Sequence, residues 1–158
     1  MPNDPTEHQK LIEALNDATR RQSTWTVLFH NTVAGQVGLN ITDHKCLDIL
    51  IDRGPLTAGQ MAEITHLTSG AITGVIDRLE KAGYVQRGYD QNDRRKVIIH
   101  PVLSKAEQEL GPLFSHFQER FLPLLAGYKD EDLRLVLRFV EESIAFMQEE
   151  ISWMRKES

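Results

Sequence analysis

Residues 89–101, YDQNDRRKVIIHP, set Arg94, Arg95 and Lys96 side by side in a chain of 158 residues whose formal net charge is −5. Three adjacent cations repel one another, and a phosphate-bearing partner is the chemistry that rewards them. An ordinary solvated turn is the plainer reading. Asp93, immediately before the triplet, is placed to pair with Arg95 and hold the loop in shape. At the tip of a hairpin, an arginine can enter a narrow, electronegative minor groove, where its planar and weakly hydrated cation is favoured.

A second candidate surface precedes it. In TSGAITGVIDRLEKAGY (68–84), Ile72, Val75, Ile76 and Leu79 fall on one side of a helix, and Ser69, Gly70, Thr73, Gly74, Asp77 and Arg78 on the other. The outer side begins small and polar, which suits a helix whose first turns approach base edges and whose N–H groups meet phosphate. Each glycine costs such a helix about 1 kcal/mol relative to alanine. Close approach to another surface explains tolerating them; a glycine-containing surface helix is the alternative.

Other chemistry is hard to find. The chain has no nucleophile elbow, phosphate loop or HExxH motif, and no paired carboxylates in a glycine-rich setting, so it is not expected to be an enzyme. No cofactor is implied.

The elements that must position these residues follow from periodicity and punctuation. A helical pattern runs from about Thr6 to Gln36, and AGQVGLN breaks it. Thr42 is expected to cap a second helix, which ends at Gly54 and Pro55. TAGQ (57–60) and SKAE (104–107) match the capping box, so helices are expected to begin near Ala58 and Lys105. The first is short. Thr68 or Ser69 caps the next, which runs to about Ala82, with Gly83 at the left-handed exit position. Tyr84–Val85 and Val97–Ile99, separated by a polar turn, read as a β-hairpin. Helices at about 105–126 and 130–154 complete the chain, divided by Gly127, with Asp130 as the cap of the second.

The expected fold is mainly α with a small β-hairpin wing: a helix-turn-helix domain followed by its wing and flanked by long helices. Those long helices exceed what a domain of about 60 residues needs for its own core. Their leftover apolar faces call for a partner, most simply a second copy of the chain.

Charge is divided along the chain. Residues 78–96 carry six basic and three acidic groups, and residues 104–158 carry seven basic and eleven acidic ones. This suggests a cationic face and an acidic body. The single cysteine, Cys46, fits a reducing compartment, and no apolar run is long enough to span a bilayer. A cytoplasmic protein without membrane contact is expected.

LTSGAITGVIDRLEKAGYVQR followed by DQNDRRKVIIHPVLS resembles the MarR (multiple antibiotic resistance regulator) family of winged helix-turn-helix transcription factors. The resemblance extends in helix order and length over nearly the whole chain. It implies a homodimer that binds double-stranded DNA at a pseudo-palindromic operator, as a repressor responsive to a small-molecule effector. By position, it puts Ser69, Gly70, Thr73 and Arg78 at or beside the major groove. It puts Arg94 or Arg95 in the minor groove, with Lys96 alongside and Asp93 in support. Many members carry a larger or basic residue where this chain has Gly74. Residues 1–36 and 104–158 would then dimerise, and 37–103 would form the DNA-binding lobe.

An effector cleft is implied between the dimerisation helices and that lobe, with Trp25, Phe29, His30, His44 and Cys46 as candidates. Each has a plainer reading. Trp25 and Phe29 suit a core, His30 a helix-end hydrogen bond, and Cys46 a small buried apolar residue. Asp43, His44, His30 and His116 are acceptable zinc ligand types but form no tight spacing motif, so no metal site is assigned. A metal-sensing regulator of this fold and a winged-helix protein-interaction module are the competing readings.

Overall fold

The computed structural model describes residues 6–90, 93 and 95–156. Among them are seven helices and three strands: α1 (Glu7–Gln36), α2 (Ile41–Arg53), β1 (Leu56–Thr57), α3 (Ala58–Thr65), α4 (Ser69–Lys81), β2 (Val85–Tyr89), β3 (Val97–Pro101), α5 (Leu103–Glu109), α6 (Gly111–Ala126) and α7 (Asp130–Lys156). Two compact units divide within α6, after Leu113.

Local chemistry sets most of these boundaries. Thr6 and Thr57 each close a capping box with a glutamine three residues on, Gln9 and Gln60. The Thr68 hydroxyl accepts from the Ala71 N–H at 3.2 Å and starts α4. Gly83 follows α4 at φ +82°, a conformation that costs glycine nothing. The chain then turns so that the Tyr84 N–H donates to the Leu79 carbonyl at 2.9 Å, leading straight into β2.

Four expectations are corrected. The cap of α2 is Asn40, whose side chain accepts from the Asp43 N–H at 2.9 Å, and not Thr42. SKAE makes no capping box: α5 starts at Leu103, behind Val102, with no side-chain cap. The long helix expected from 105 is broken at Leu110, because Pro112 has no N–H to continue the ladder and its ring crowds the preceding turn. Asp130 is the first residue of α7; the carbonyl of Lys129 before it accepts from the Leu133 N–H at 2.9 Å.

The hairpin β2–β3 forms, but it is part of a three-stranded antiparallel sheet in the order β1-β3-β2. Leu56 pairs with Ile99 and Thr57 with Ile98. This short strand was hidden in DRGPLT, where Gly54 and Pro55 signal only a helix end.

The core of the first unit collects one face of each element: Leu47 and Leu50 of α2, Met61 of α3, Ile72, Val75, Ile76 and Leu79 of α4, Val85 of β2 and Ile99 of β3 are all buried. The end of α1 joins it through Val33 and Ala34. Burying each such side chain contributes about 1.5–3 kcal/mol, and here that burial fixes α4 against α2, α3 and the sheet. No described helix is long and apolar enough to cross a membrane.

Candidate nucleic-acid interface

Helix α4 presents its outer side as the pattern requires. Ser69, Gly70, Ala71 and Thr73 are exposed while the opposite stripe is buried. The Thr73 hydroxyl donates to the Ser69 carbonyl at 2.9 Å, so its hydroxyl hydrogen is engaged within the helix. A Cβ at Gly70 would meet nothing within 4 Å, so no internal contact demands glycine there. A shallow groove of about 500 Å³ runs between the start of α2 and this small-residue side, lined by Asn40, Thr42, Gly70, Ala71, Gly74 and Arg78.

Arg78 does more than face outward. Its Nε and Nη2 donate to the two carboxylate oxygens of Asp43 at 2.8 and 2.7 Å. Asp43 is 2 % exposed and the Arg78 side chain 52 % exposed. The bond to Asp43 raises the pKa of the guanidinium further. The Asn40 side-chain amide donates to the same carboxylate at 2.8 Å. One buried carboxylate therefore links the cap of α2 to the last turn of α4, in the bidentate geometry that only arginine supplies. Gly74 belongs to the same arrangement, since a Cβ there would come within 3.3 Å of Arg78 Nη1.

Arg87 plays a comparable part at the same end of α4, beside Arg78. From β2 its guanidinium reaches Asp77 and Glu80, and its backbone N–H donates to Glu80 Oε1 at 3.2 Å. The hydrogen bond to Asp77 leads the causes that raise its pKa. Two of the six basic groups between 78 and 96 are thus spent on holding α4 in place. Neither use was legible in the sequence, because both acidic partners of Arg87 and the one of Arg78 are brought in by packing.

At the wing tip the expected pairing forms. Asp93 Oδ1 accepts from the Arg95 backbone N–H at 3.1 Å and from its Nε at 3.2 Å. The Asp93 N–H donates to Asp90 Oδ1 at 3.0 Å, and the Lys96 N–H to the Asp93 carbonyl at 2.9 Å. The Asp90 N–H donates in turn to the Lys96 carbonyl, at 3.0 Å, closing the loop. The Arg95 side chain is 92 % exposed at the outside of this turn. Lys96 is exposed beside it, and Arg94 lies outside the described residues.

The remaining candidates separate. Trp25 is 70 % exposed on α1, against its plainer reading as a core residue. Phe29 is half-buried, its ring edge-on to His30 with centroids 5.4 Å apart. The His30 and His44 rings lie 5.6 Å apart, and desolvation lowers the pKa of each, with Lys45 adding to the effect. Cys46 is buried, and desolvation with the nearby Asp43 charge pushes its thiol up to about 11, the opposite of a reactive thiolate. Of the metal-ligand types considered, Asp43 is engaged with Arg78, and His116 belongs to the second compact unit. Asp48 and Lys45 were missed. The signal for Asp48 was its spacing four residues after His44, which puts both on one face of α2.

A short helix and a capped second helix on a common core, followed by a hairpin whose tip projects an arginine, define a winged helix-turn-helix. The MarR family model matches residues 39–97. The chain is 42 % identical over 137 residues to the HTH-type transcriptional regulator YcgE of Bacillus subtilis (strain 168), covering 87 % of this chain and 88 % of that protein. In fold it is similar to a MarR family protein from Bacillus stearothermophilus, with a TM-score of 0.70 at 19 % identity over 92 % of this chain and 99 % of the other. It is also similar to FabT of Streptococcus pneumoniae, whose structure is a complex with DNA, with a TM-score of 0.69 at 16 % identity over 87 % and 98 % of the two chains. The chain belongs to the MarR family, whose members are transcriptional regulators and not enzymes.

Proposed function

We propose that the protein is a homodimeric, sequence-specific DNA-binding regulator acting as a ligand-responsive repressor. In this reading α4 enters the major groove of a pseudo-palindromic operator, with Ser69, Gly70 and Thr73 at the surface, and the 90–96 tip enters the minor groove. Arg95 is the groove-entering cation, and Lys96 meets phosphate. Arg78 orients α4 from beside the groove.

The observation that carries this reading is the combination of a small-residue helix face, held through the C-terminal half of α4 by Arg78–Asp43 and Arg87–Asp77, with an exposed arginine on a braced tip. Residues 1–36 and 104–158 supply the dimerisation surface in this account. Its support is the exposed apolar side chains on α1 and α7, including Leu11, Leu15, Val136, Val140 and Ile144. Dimerisation would hold the two α4 helices about 34–36 Å apart, one turn of DNA. A small-molecule effector that changes this separation releases the operator, since it binds the two arrangements unequally. The protein works in the cytoplasm.

A gel shift against the DNA upstream of its own coding region tests the reading. Retarded DNA that survives competition by random sequence at moderate salt is expected. Arg95→Ala should weaken binding and reduce the salt slope by about one counterion. No preference over random DNA would overturn the proposal.

A further inference from the structure

His30 comes from α1, and His44 and Asp48 from successive turns of α2. Their ligand atoms lie within 4.8 Å of one another. A tetrahedral zinc ion holds nitrogen and oxygen donors at about 2.0–2.1 Å, so its ligand atoms are about 3.4 Å apart. Side-chain rotations that draw the three atoms inward by little more than an ångström would reach that geometry.

The same place already holds a cation. Lys45 Nζ lies 2.9 Å from His30 Nδ1 and 2.9 Å from Asp48 Oδ2, while His44 Nδ1 stands 3.5 Å from that same oxygen. The ammonium therefore bridges two of the three donors at hydrogen-bond distance, where a metal would bridge them at coordination distance. Its side chain is 45 % exposed on a flexible four-carbon stem, so it can swing into solvent and vacate the position. The surroundings are asymmetric. His44 is fully buried and forms the floor, Phe29 packs its ring against His30, and Asp48 is partly exposed and forms the mouth. An ion would enter past Asp48 and Lys45, and water would complete its coordination.

We propose that His30, His44 and Asp48 form a binding site for a divalent first-row transition metal ion, zinc being the fitting probe, and that Lys45 is the resident cation it displaces. Two imidazoles and one carboxylate suit such ions rather than calcium or magnesium, which take oxygen ligands. The site joins the last third of α1 to α2, the helix whose Asp43 holds Arg78 of α4. It stands apart from the DNA reading and is measured without DNA.

The full-length protein, stripped with a chelator, should be titrated with zinc against a chromophoric competitor, and with cobalt(II) to read coordination from its visible spectrum. Wild-type protein should take up zinc stoichiometrically and give a tetrahedral or five-coordinate cobalt spectrum. His30→Gln and Asp48→Asn, both at partly exposed positions, should each weaken zinc by about tenfold or more with unchanged far-ultraviolet circular dichroism. Lys45→Ala should bind zinc more tightly than wild type, because the competing ammonium is gone. Equal zinc affinity in wild type, His30→Gln and Asp48→Asn would overturn the proposal, as would a Lys45→Ala protein that binds no more tightly.

Discussion

Helices α4 and α7 carry the same kind of apolar stripe and meet different fates. In α4, Ile72, Val75, Ile76 and Leu79 are at most 2 % exposed, covered by α2, α3 and the sheet. In α7, Val136, Leu137, Val140, Ile144, Met147 and Ile151 repeat at similar spacing and are each more than 40 % exposed. Amphipathic pattern alone therefore says that a face will be buried, and not by what. The α4 stripe is satisfied within one chain, so it specifies a fold. The α7 stripe exceeds what a monomer ordinarily leaves in water, and under the proposed homodimer it is the assembly surface.

The strongest way to break that comparison is to damage both stripes alike. Ile76→Ala should cost about 2–5 kcal/mol in urea unfolding, as a cavity in a packed core does. Ile144→Glu should leave the helical content of the chain in place and turn a dimer into a monomer by light scattering. If Ile144→Glu remains dimeric, the α7 stripe is not the assembly surface. Next in size is the asymmetry of the Asp43–Arg78 pair. Arg78→Ala strands a buried carboxylate and should clearly lower the midpoint of chemical denaturation. Asp43→Ala leaves only a solvated cation behind and should cost less. The reverse order in chemical denaturation would mean that the pair does not anchor α4.

Smaller effects sharpen the picture of the outer face. Gly70→Ala meets nothing inside the protein, so it should stabilise α4 by up to about 1 kcal/mol while weakening operator binding. A gain in stability with unchanged DNA affinity would remove Gly70 from the contact surface. The least change is expected at Cys46, whose thiol stays protonated at neutral pH. Alkylation of the folded protein should be slow and become fast only on unfolding; rapid labelling of the native state would contradict its burial.

The helix-turn-helix followed by a hairpin, the α4 stripe, the Thr57–Gln60 capping box and the Asp93–Arg95 brace were legible before any coordinates, because each rests on a pattern or contact within a short stretch; the Thr6–Gln9 box was not read. What was not legible depends on packing between distant segments. Asn40 and Thr42 are both good caps, and the Arg78–Asp43 bond, spanning 35 positions, favours the helix start that brings Asp43 to the arginine. The pairing of Leu56 with Ile99 requires a strand two residues long, too short for any alternation to show. The His30–His44–Asp48 cluster draws on two helices, and only its second half has a spacing that could be read.

Thr57 serves two structures at once. It pairs with Ile98 in the sheet, and its hydroxyl accepts from the Gln60 N–H at 3.1 Å to open α3. A residue inserted or deleted between Gly54 and Thr57 would throw either the strand register or the cap out of step, since one position turns every side chain to the opposite face. The length of this segment is therefore fixed, whereas the tip between Tyr89 and Val97 is closed by its own local bonds. Among descendants of this sequence, length variation should accumulate at the tip and be absent from the four residues that lead into α3.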